Sequence, residues 1–252
     1  MRGYRVLLVK ELAEQWRTGR LLVVAVIFLI FGLTSPILAK YTPDIVKLAA
    51  SSVAIHVPTP TTKDAVAQLV KNLSQLGALV AILLAMGTVA GEKESGTAAF
   101  IIVKPVSRFA FLAAKFCGLA LTMLGAVAVC GAAAYLYTVL LFAAPSAGGF
   151  AAACLLMLLG LLVIASWTFL GSTLSRSAIP AAALGVVALI VEGIVASVPN
   201  MARYTPSGLD DIANKVALQQ SATDWYWAVV FNGVVLAVAI ASSWLVFRRQ
   251  EL

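Results

Sequence analysis

The sequence has few charged residues, one histidine and three cysteines among its 252 residues. Charged side chains make up 12% of the chain and hydrophobic ones 62%. Soluble domains usually contain about 25% charged and about 45–50% apolar residues. A water-soluble fold of this length cannot bury so much apolar surface, so the composition excludes a soluble domain and predicts a membrane protein.

The scarcity of cysteine and histidine argues against a metal cage and a disulfide framework. Cys117, Cys130 and Cys154 lie within apolar runs, and neither they nor the single His56 follow the spacing of a zinc site. A buried free cysteine usually behaves as a small hydrophobic residue, so we expect structural roles for all three. We expect no metal and no cofactor in this chain.

Enzyme signatures are missing as well. The sequence has no G-x-x-x-x-G-K-[ST] phosphate loop, no H-E-x-x-H and no G-x-S-x-G, so we expect no catalytic or nucleotide site. The net charge of +7 does not indicate nucleic-acid binding, because the basic residues flank apolar runs. The N-terminus lacks a short apolar region with a small-residue cleavage site, so we expect no cleaved signal peptide.

Six apolar stretches are long enough to cross a bilayer, which requires about 20 mainly apolar residues. They cover residues 21–39, 73–90, 109–141, 150–174, 178–198 and 225–247. With the N-terminus inside, cytoplasmic segments hold twelve Lys and Arg residues and outer segments six. The positive-inside rule therefore predicts a single all-α, polytopic membrane domain over residues 1–252, with both ends in the cytoplasm. Lys115 is expected to reach out of the long third span.

Short helices are predicted outside the spans. Tyr4, Leu8, Leu12 and Trp16 recur every four residues within 1–20, which indicates an amphipathic interfacial helix; a frayed basic leader is the alternative.

The outer segments 40–72 and 199–224 carry further signals. Pro43, Pro58 and Pro60 are expected to break the first into short pieces, and Thr62 to cap a helix that enters the second span. Ser207 and Asp210 are expected to cap a short helix over residues 208–218. The aromatic residues Trp225, Tyr226 and Trp227 predict a belt at the outer boundary.

Two features inside the spans are candidates for function or packing. Glu192 is the only acid well inside a predicted span. Intramembrane carboxylates are costly and often functional, so Glu192 is a candidate outer gate or substrate contact; a structural acid near the interface is the alternative. Gly87 and Gly91 form a small-xxx-small pair that predicts close helix packing.

The most distinctive segment, residues 91–108, lies between spans two and three. It consists of a charged turn (E-K-E-S-G-T), a short apolar helix over 98–103, a stop at Pro105 and a basic anchor (K-P-V-S-R). Phe100, Ile101 and Ile102 would form an apolar knob on a cytoplasmic surface. An apolar patch rimmed by charges is typical of a docking site; a re-entrant loop at the interface is the alternative.

The E-K-E-S-G-T…K-P-V-S-R run resembles the coupling loop of type-2 ABC exporter permeases. The N-terminal K-E-L…R-T-G-R run resembles the first amphipathic helix of that family. With the six-span layout, the resemblance covers the whole chain and is nearest to the small permeases similar to those of multi-copper-enzyme maturation systems. Methionine and cysteine are too dispersed here for a dedicated copper pathway.

The resemblance implies a permease subunit in the inner (cytoplasmic) membrane of the cell. It would work as a homodimer, or with a paralogous permease, and bind a separate ABC ATPase that holds ATP and Mg. Its substrate would be hydrophobic or amphipathic. The short outer helix would form a lid above the exit, and Gly87 and Glu192 would share the dimer seam formed by spans two and five.

The resemblance also assigns the ATPase-coupling contacts. These residues are Glu92, Lys93, Glu94, Gly96, Thr97, Phe100, Ile101 and Ile102, with Glu11 and Arg17 in the N-terminal helix. Two other classes stay open. One is a non-transporting membrane signalling or immunity component that uses the same ATPase coupling, and the other is a membrane-embedded enzyme for which Glu192 would be the candidate acid.

Overall fold

The computed structural model of the chain describes residues 2–49, 59–96, 107–223 and 225–250. All regular structure within these ranges is helical. The helices are α1 (Arg2–Arg17), α2 (Arg20–Ala49), α3 (Thr62–Asn72), α4 (Ala78–Met86), α5 (Ala90–Glu94), α6 (Arg108–Leu141), α7 (Ala147–Leu174), α8 (Ala178–Ala196), α9 (Pro206–Ala217) and α10 (Trp225–Arg249). A π-helical turn, Leu73–Gly77, joins α3 to α4, and a 3-10 turn, Ala202–Tyr204, precedes α9.

Six of the helical stretches are long and apolar enough to cross a membrane, so the six predicted spans are confirmed. They are Arg20–Val46, Thr62–Glu94, Arg108–Leu141, Ala147–Leu174, Ala178–Ala196 and Trp225–Arg249. The second is composite and contains α3, the π-helical turn, α4 and α5 in series. Only 11% of the apolar window of α8 is buried, as expected of a helix whose sides face lipid.

Successive spans run in opposite directions, which gives the bundle two ends. We call the end formed by residues 2–20, 90–96, 107–115, 173–178 and 247–250 the basic end. We call the other end the distal end. Its described residues lie within 40–49, 59–72, 142–149 and 196–228. Hydrogen bonds join distant parts of the chain at each end: Lys93 Nζ donates to Gln250 Oε1 at the basic end, and Thr62 Oγ1 to the Ala143 carbonyl at the distal end.

Helix α7 lies at the centre of the bundle and contacts α4, α6, α8, α9 and α10. Small residues bring α7 and α8 together. A Cβ atom at Gly171 would lie 2.9 Å from the Ala181 carbonyl oxygen, and one at Gly185 would overlap the Thr168 hydroxyl. Because these contacts already fill the space, the two helices cannot approach more closely.

The predicted packing role of Gly87 and Gly91 is wrong for this chain taken alone. A Cβ atom at either position would meet no other described atom within 4 Å. Both residues lie at the break between α4 and α5, where they line a cavity rather than a helix contact. Close approach occurs instead at Gly32, Gly131, Gly171 and Gly185.

The prediction that proline breaks the first outer segment is wrong at Pro43. Helix α2 continues through Pro36 and Pro43 to Ala49. Hydroxyl groups next to the prolines donate to carbonyls of the preceding turn: Ser35 to Phe31 at 2.6 Å and Thr42 to Leu38. Such hydroxyls help membrane helices to tolerate proline. Pro58 and His56 lie outside the described residues.

Both predicted helices of the outer segments are present, but the predicted caps are wrong. Thr61, not Thr62, caps α3, in a capping box in which the Asp64 carboxylate accepts from the Thr61 N–H at 2.7 Å. Helix α9 starts at Pro206 after an extended Thr205, because proline suits the first helical position. Ser207 therefore lies inside the helix, and the predicted belt residues Trp225, Tyr226 and Trp227 are exposed.

Candidate functional sites at the two ends of the bundle

A buried cluster of ion pairs connects three helices at the basic end. Lys115 on α6 is only 4% exposed, and its Nζ lies 2.9 Å from Glu92 Oε1 on α5 and 3.2 Å from Glu11 Oε1 on α1. The prediction that Lys115 reaches out of the span is wrong, because these two carboxylates supply partners inside the protein. Lys10 adds ion pairs to Glu92 and Glu14 at 3.2 and 3.3 Å.

The electrostatics of this cluster favour the charged form of Lys10. Burial would lower the pKa of Lys10, but the carboxylates of Glu92, Glu11 and Glu14 outweigh this effect and raise the pKa above its usual value. Beside the cluster is a polar cavity of about 340 Å³. Carboxylate oxygens of Glu11, Glu14 and Glu92 lie within 4.8 Å of one another, but the ammonium groups of Lys10 and Lys115 already pair with them, so this geometry does not favour a metal ion.

The predicted coupling residues divide into two groups. Glu11, Glu92 and Lys93 are half-buried and bonded to other parts of the bundle, whereas Glu94, Gly96 and Arg17 are exposed. Gly96 has a positive φ of 72° and ends the helical turn. The remaining predicted residues, Thr97, Phe100, Ile101 and Ile102, lie outside the described residues, as does the predicted helix over 98–103.

Cations on both sides of residues 97–106 hold the C-terminal end of α10. Lys93 Nζ donates to Gln250 Oε1 at 2.7 Å and to the Thr173 carbonyl at the end of α7. Arg108 donates to the carbonyls of Arg248 and Gln250, both at 2.9 Å. Carbonyls at a helix C-terminus lack partners within the helix and carry partial negative charge, so they favour cations. Both flanks are thereby attached to the same helix end.

Ser172 on α7 holds the break between α4 and α5. Its Oγ accepts from the backbone N–H groups of Val89 and Ala90, at 3.0 and 2.9 Å, and donates to the Met86 carbonyl at 2.8 Å. Val89 and Ala90 are fully buried, so without this hydroxyl their N–H groups would lack a partner where the helix is interrupted. The sequence gives no signal for this role, because a serine in an apolar helix resembles any other small residue.

At the distal end, two carboxylates from different helices lie close enough to interact. The carboxyl group of Glu192 on α8 lies near the backbone of Ser207 and near Asp210 on α9. Asp210 accepts from Ser74 Oγ at 2.7 Å. Burial raises the pKa of Asp210 to about 6, although the Ser74 hydroxyl opposes this change.

Glu192 also lines an apolar cavity of about 520 Å³ between α7, α8 and α10. The structure therefore places Glu192 at a cavity wall, as expected of a candidate substrate contact. Gly87 lines the polar cavity at the basic end, and the shared dimer seam of Gly87 and Glu192 stays a prediction. Sequence reasoning missed Asp210 as the neighbour of Glu192 and took it for a helix cap.

Two comparisons relate the chain to known proteins, and one of them agrees with the membrane assignment. The chain is 28% identical to the "Uncharacterized transmembrane protein YxlG" of Bacillus subtilis (strain 168), over 257 residues that cover 100% of this chain and 99% of that protein. This is a multi-pass membrane protein with six apolar helices. A family described as "Protein of unknown function (DUF2705)" matches residues 22–252, all of the chain apart from α1 and the start of α2. The chain therefore belongs to the DUF2705 family.

Proposed function

We propose that this chain is the membrane-spanning subunit of an ATP-binding-cassette exporter and that a separate ATPase subunit binds at residues 91–108. The observation that carries the proposal is the attachment of both flanks of this segment to the rest of the bundle. Glu92 and Lys115 join them to α1, while Lys93 and Arg108 join them to α7 and α10. A partner that moved the segment would move these three helices with it.

This arrangement suits a subunit that is driven by a motor in another chain. A partner changes a conformational equilibrium only if it binds one state better than the other. An ATPase that grips residues 91–108 differently with and without nucleotide would satisfy this condition. The turn between α4 and α5 gives the segment a place to pivot, since side chains of neighbouring helices do not crowd the Cα atoms of Gly87 and Gly91: an added Cβ at either would meet nothing within 4 Å among the described residues.

The orientation belongs to the same proposal. The basic end would face the cytoplasm, in agreement with the positive-inside rule. Both termini would then lie on the cytoplasmic side of the inner (cytoplasmic) membrane. Helix α9 packs on α7 at the distal end, where it would form a lid above the exit for a hydrophobic or amphipathic substrate. The weakly buried α8 would contact a second copy of the chain, or a paralogous permease, or lipid.

Site-specific photocrosslinking in cells tests the partner. A photoreactive amino acid replaces Glu94 at the basic end, and the control replaces Asp211, an exposed acid at the distal end. We expect the Glu94 position to form an adduct with a protein that contains a Walker motif and hydrolyses ATP, and the Asp211 position to form none. If no nucleotide-hydrolysing protein is attached at Glu94, or if both positions give the same adduct, the ATPase docking is refuted.

Cysteine labelling tests the orientation independently. In intact cells, a membrane-impermeant maleimide should label Asp211→Cys and should leave Glu94→Cys unlabelled until the cells are opened. The unsubstituted chain gives the background, since Cys117, Cys130 and Cys154 all lie within the spans. The reverse labelling pattern would place the basic end outside and remove the exporter proposal. If the labelling agrees with the proposed orientation, substrate accumulation in liposomes that contain both subunits separates export from ATPase-coupled signalling.

A further inference from the structure

The distal cavity combines apolar walls with one carboxyl group. Its lining includes Trp167, Val191, Tyr204 and Phe231, and Glu192 is the one charged residue among the described residues that form it. A volume of about 520 Å³ lies within the usual range of about 300–1,000 Å³ for small-molecule sites. The cavity can therefore hold an apolar group of drug-like size with a carboxylate at its wall.

This carboxylate has no positive partner in the part of the chain that the structure describes. Glu192 Oε2 is buried and makes no hydrogen bond there, and the described ion pairs do not include Glu192. Arg203 stacks on the Tyr204 ring at 4.7 Å instead of pairing with Glu192. Asp210 adds a second negative group behind it. A carboxylate in such surroundings is costly, and a cation would relieve the cost.

We propose that this cavity binds an amphipathic cation whose apolar body lies between α7, α8 and α10 and whose ammonium group lies against Glu192. The aromatic rings in the wall would add cation–π attraction to the same group. An anion of the same shape would meet the repulsion of two carboxylates, and a neutral molecule would leave Glu192 without a partner. The binding of such cations does not depend on the proposed function. Their role as the exported substrate rests on the proposed function.

Binding is measured with the full chain in phosphatidylcholine nanodiscs. The probe is trimethylammonium-diphenylhexatriene, and the neutral control is diphenylhexatriene, which has the same apolar body. Energy transfer from tryptophan reports the bound probe, because Trp167 lines the cavity. Empty nanodiscs and displacement by dodecyltrimethylammonium separate saturable binding from partition into lipid. We expect the protein to bind the cationic probe about tenfold to a hundredfold more tightly than the neutral one, because the trimethylammonium group is attracted electrostatically by the carboxylate and by the aromatic rings.

Glu192→Gln should abolish this preference while leaving the affinity for the neutral probe nearly unchanged. The matched control is Asp211→Asn, which removes an exposed acid outside the cavity and should change neither affinity. Ala188→Phe fills the cavity and should weaken both probes alike. Equal affinities of the unsubstituted chain for the two probes would overturn the proposal even if a variant failed to fold, as would full retention of the preference in Glu192→Gln.

The outcome is independent of the crosslinking at Glu94. If the cationic probe shows no preference but the ATPase is crosslinked, only the assignment of the ligand fails. If the probe binds as expected but no ATPase is found, the cation site stands and its role in export is lost.

Discussion

Replacing Lys115 by methionine tests whether the ion-pair cluster at the basic end holds the bundle together. Methionine keeps most of the length and the apolar contacts of the side chain, but it removes the charge and with it the cation–π contact in which Lys115 Nζ lies 5.2 Å from the centroid of the Phe111 ring. Glu11 and Glu92, whose side chains are only 13% and 12% exposed, then lose the ammonium group that they share. The matched control is Lys215→Met.

The expected magnitude follows from burial. Removing one partner of a buried ion pair usually costs about 3–5 kcal/mol when the remaining charge stays buried without compensation. Lys10 still lies 3.2 Å from Glu92 and 3.5 Å from Glu11, so we expect a loss near the lower end of this range. The pair of Lys215 with Asp211 is shorter, at 2.6 Å, but its side chains are 42% and 66% exposed. Exposed pairs usually contribute about 0.2–1 kcal/mol. Lys115→Met should therefore lower the free energy of unfolding several times more than Lys215→Met, although the control pair has the shorter distance.

Reversible unfolding in mixed micelles, followed by helical circular dichroism during titration with dodecyl sulfate, measures both variants. The combined variant Glu11→Gln, Glu92→Gln and Lys115→Met should recover part of the loss, since it also removes the two carboxylates that lose Lys115. Equal effects of Lys115→Met and Lys215→Met would show that the cluster contributes no more than a surface pair. The mechanical connection between residues 91–108 and α1 would then have no energetic basis.

Three further predictions concern the rest of the bundle. Burial raises the pKa of Asp210 to about 6, so its ionised form destabilises the fold above that pH. As the pH falls from about 6 to 3.8, the free energy of unfolding of the chain should therefore rise by up to about 3 kcal/mol relative to that of Asp210→Asn. A difference between the two proteins that does not change with pH in the same unfolding titration would contradict this prediction. Gly185→Ala should lower the free energy of unfolding by about 1–3 kcal/mol, because its Cβ would overlap a hydroxyl of α7. Gly233→Ala, whose Cβ would meet no atom within 4 Å, should be neutral or stabilising. Thermal unfolding compares the two variants, and equal melting temperatures would count against the close α7–α8 contact. Ser172→Ala should lower the free energy of unfolding by about 1–3 kcal/mol and speed amide hydrogen exchange at the α4–α5 break. Ser166→Ala should do neither, because the Ser166 hydroxyl bonds to a carbonyl of its own helix. Unchanged exchange in Ser172→Ala would show that Ser172 does not hold the break.

The spans were predictable because each is a long apolar run, and bilayer thickness sets a minimum length that composition alone can test. Their ends were less predictable. Pro43 was expected to end a helix because proline removes a backbone donor, yet α2 continues where Thr42 supplies a hydrogen bond to the preceding turn. Capping residues were displaced by one or two positions, because Thr61 and Thr205 adopt extended backbone angles that the sequence does not specify.

The candidate sites show a different limit. Glu192 was identified from sequence because an acid in an apolar run is rare, and that reasoning needs no partner. Its neighbour Asp210 and the donor Ser74 are 136 residues apart, so their contact depends on tertiary packing. Lys115 was misjudged for the same reason: its partner Glu11 is 104 residues away. An interaction between distant residues leaves no periodic pattern that a single sequence can reveal.

Helix α7 connects the two ends and gives the proposed transporter a physical route between them. At the basic end, Ser172 binds the break at which residues 91–108 leave the second span. Closer to the distal end, Trp167 of the same helix forms a wall of the cavity that contains Glu192. Between them, the glycine contacts with α8 leave no free space, and close-packed interiors transmit displacement rather than absorb it. In the proposed mechanism, an ATPase docked at the basic end therefore changes the shape of the cation cavity without touching it.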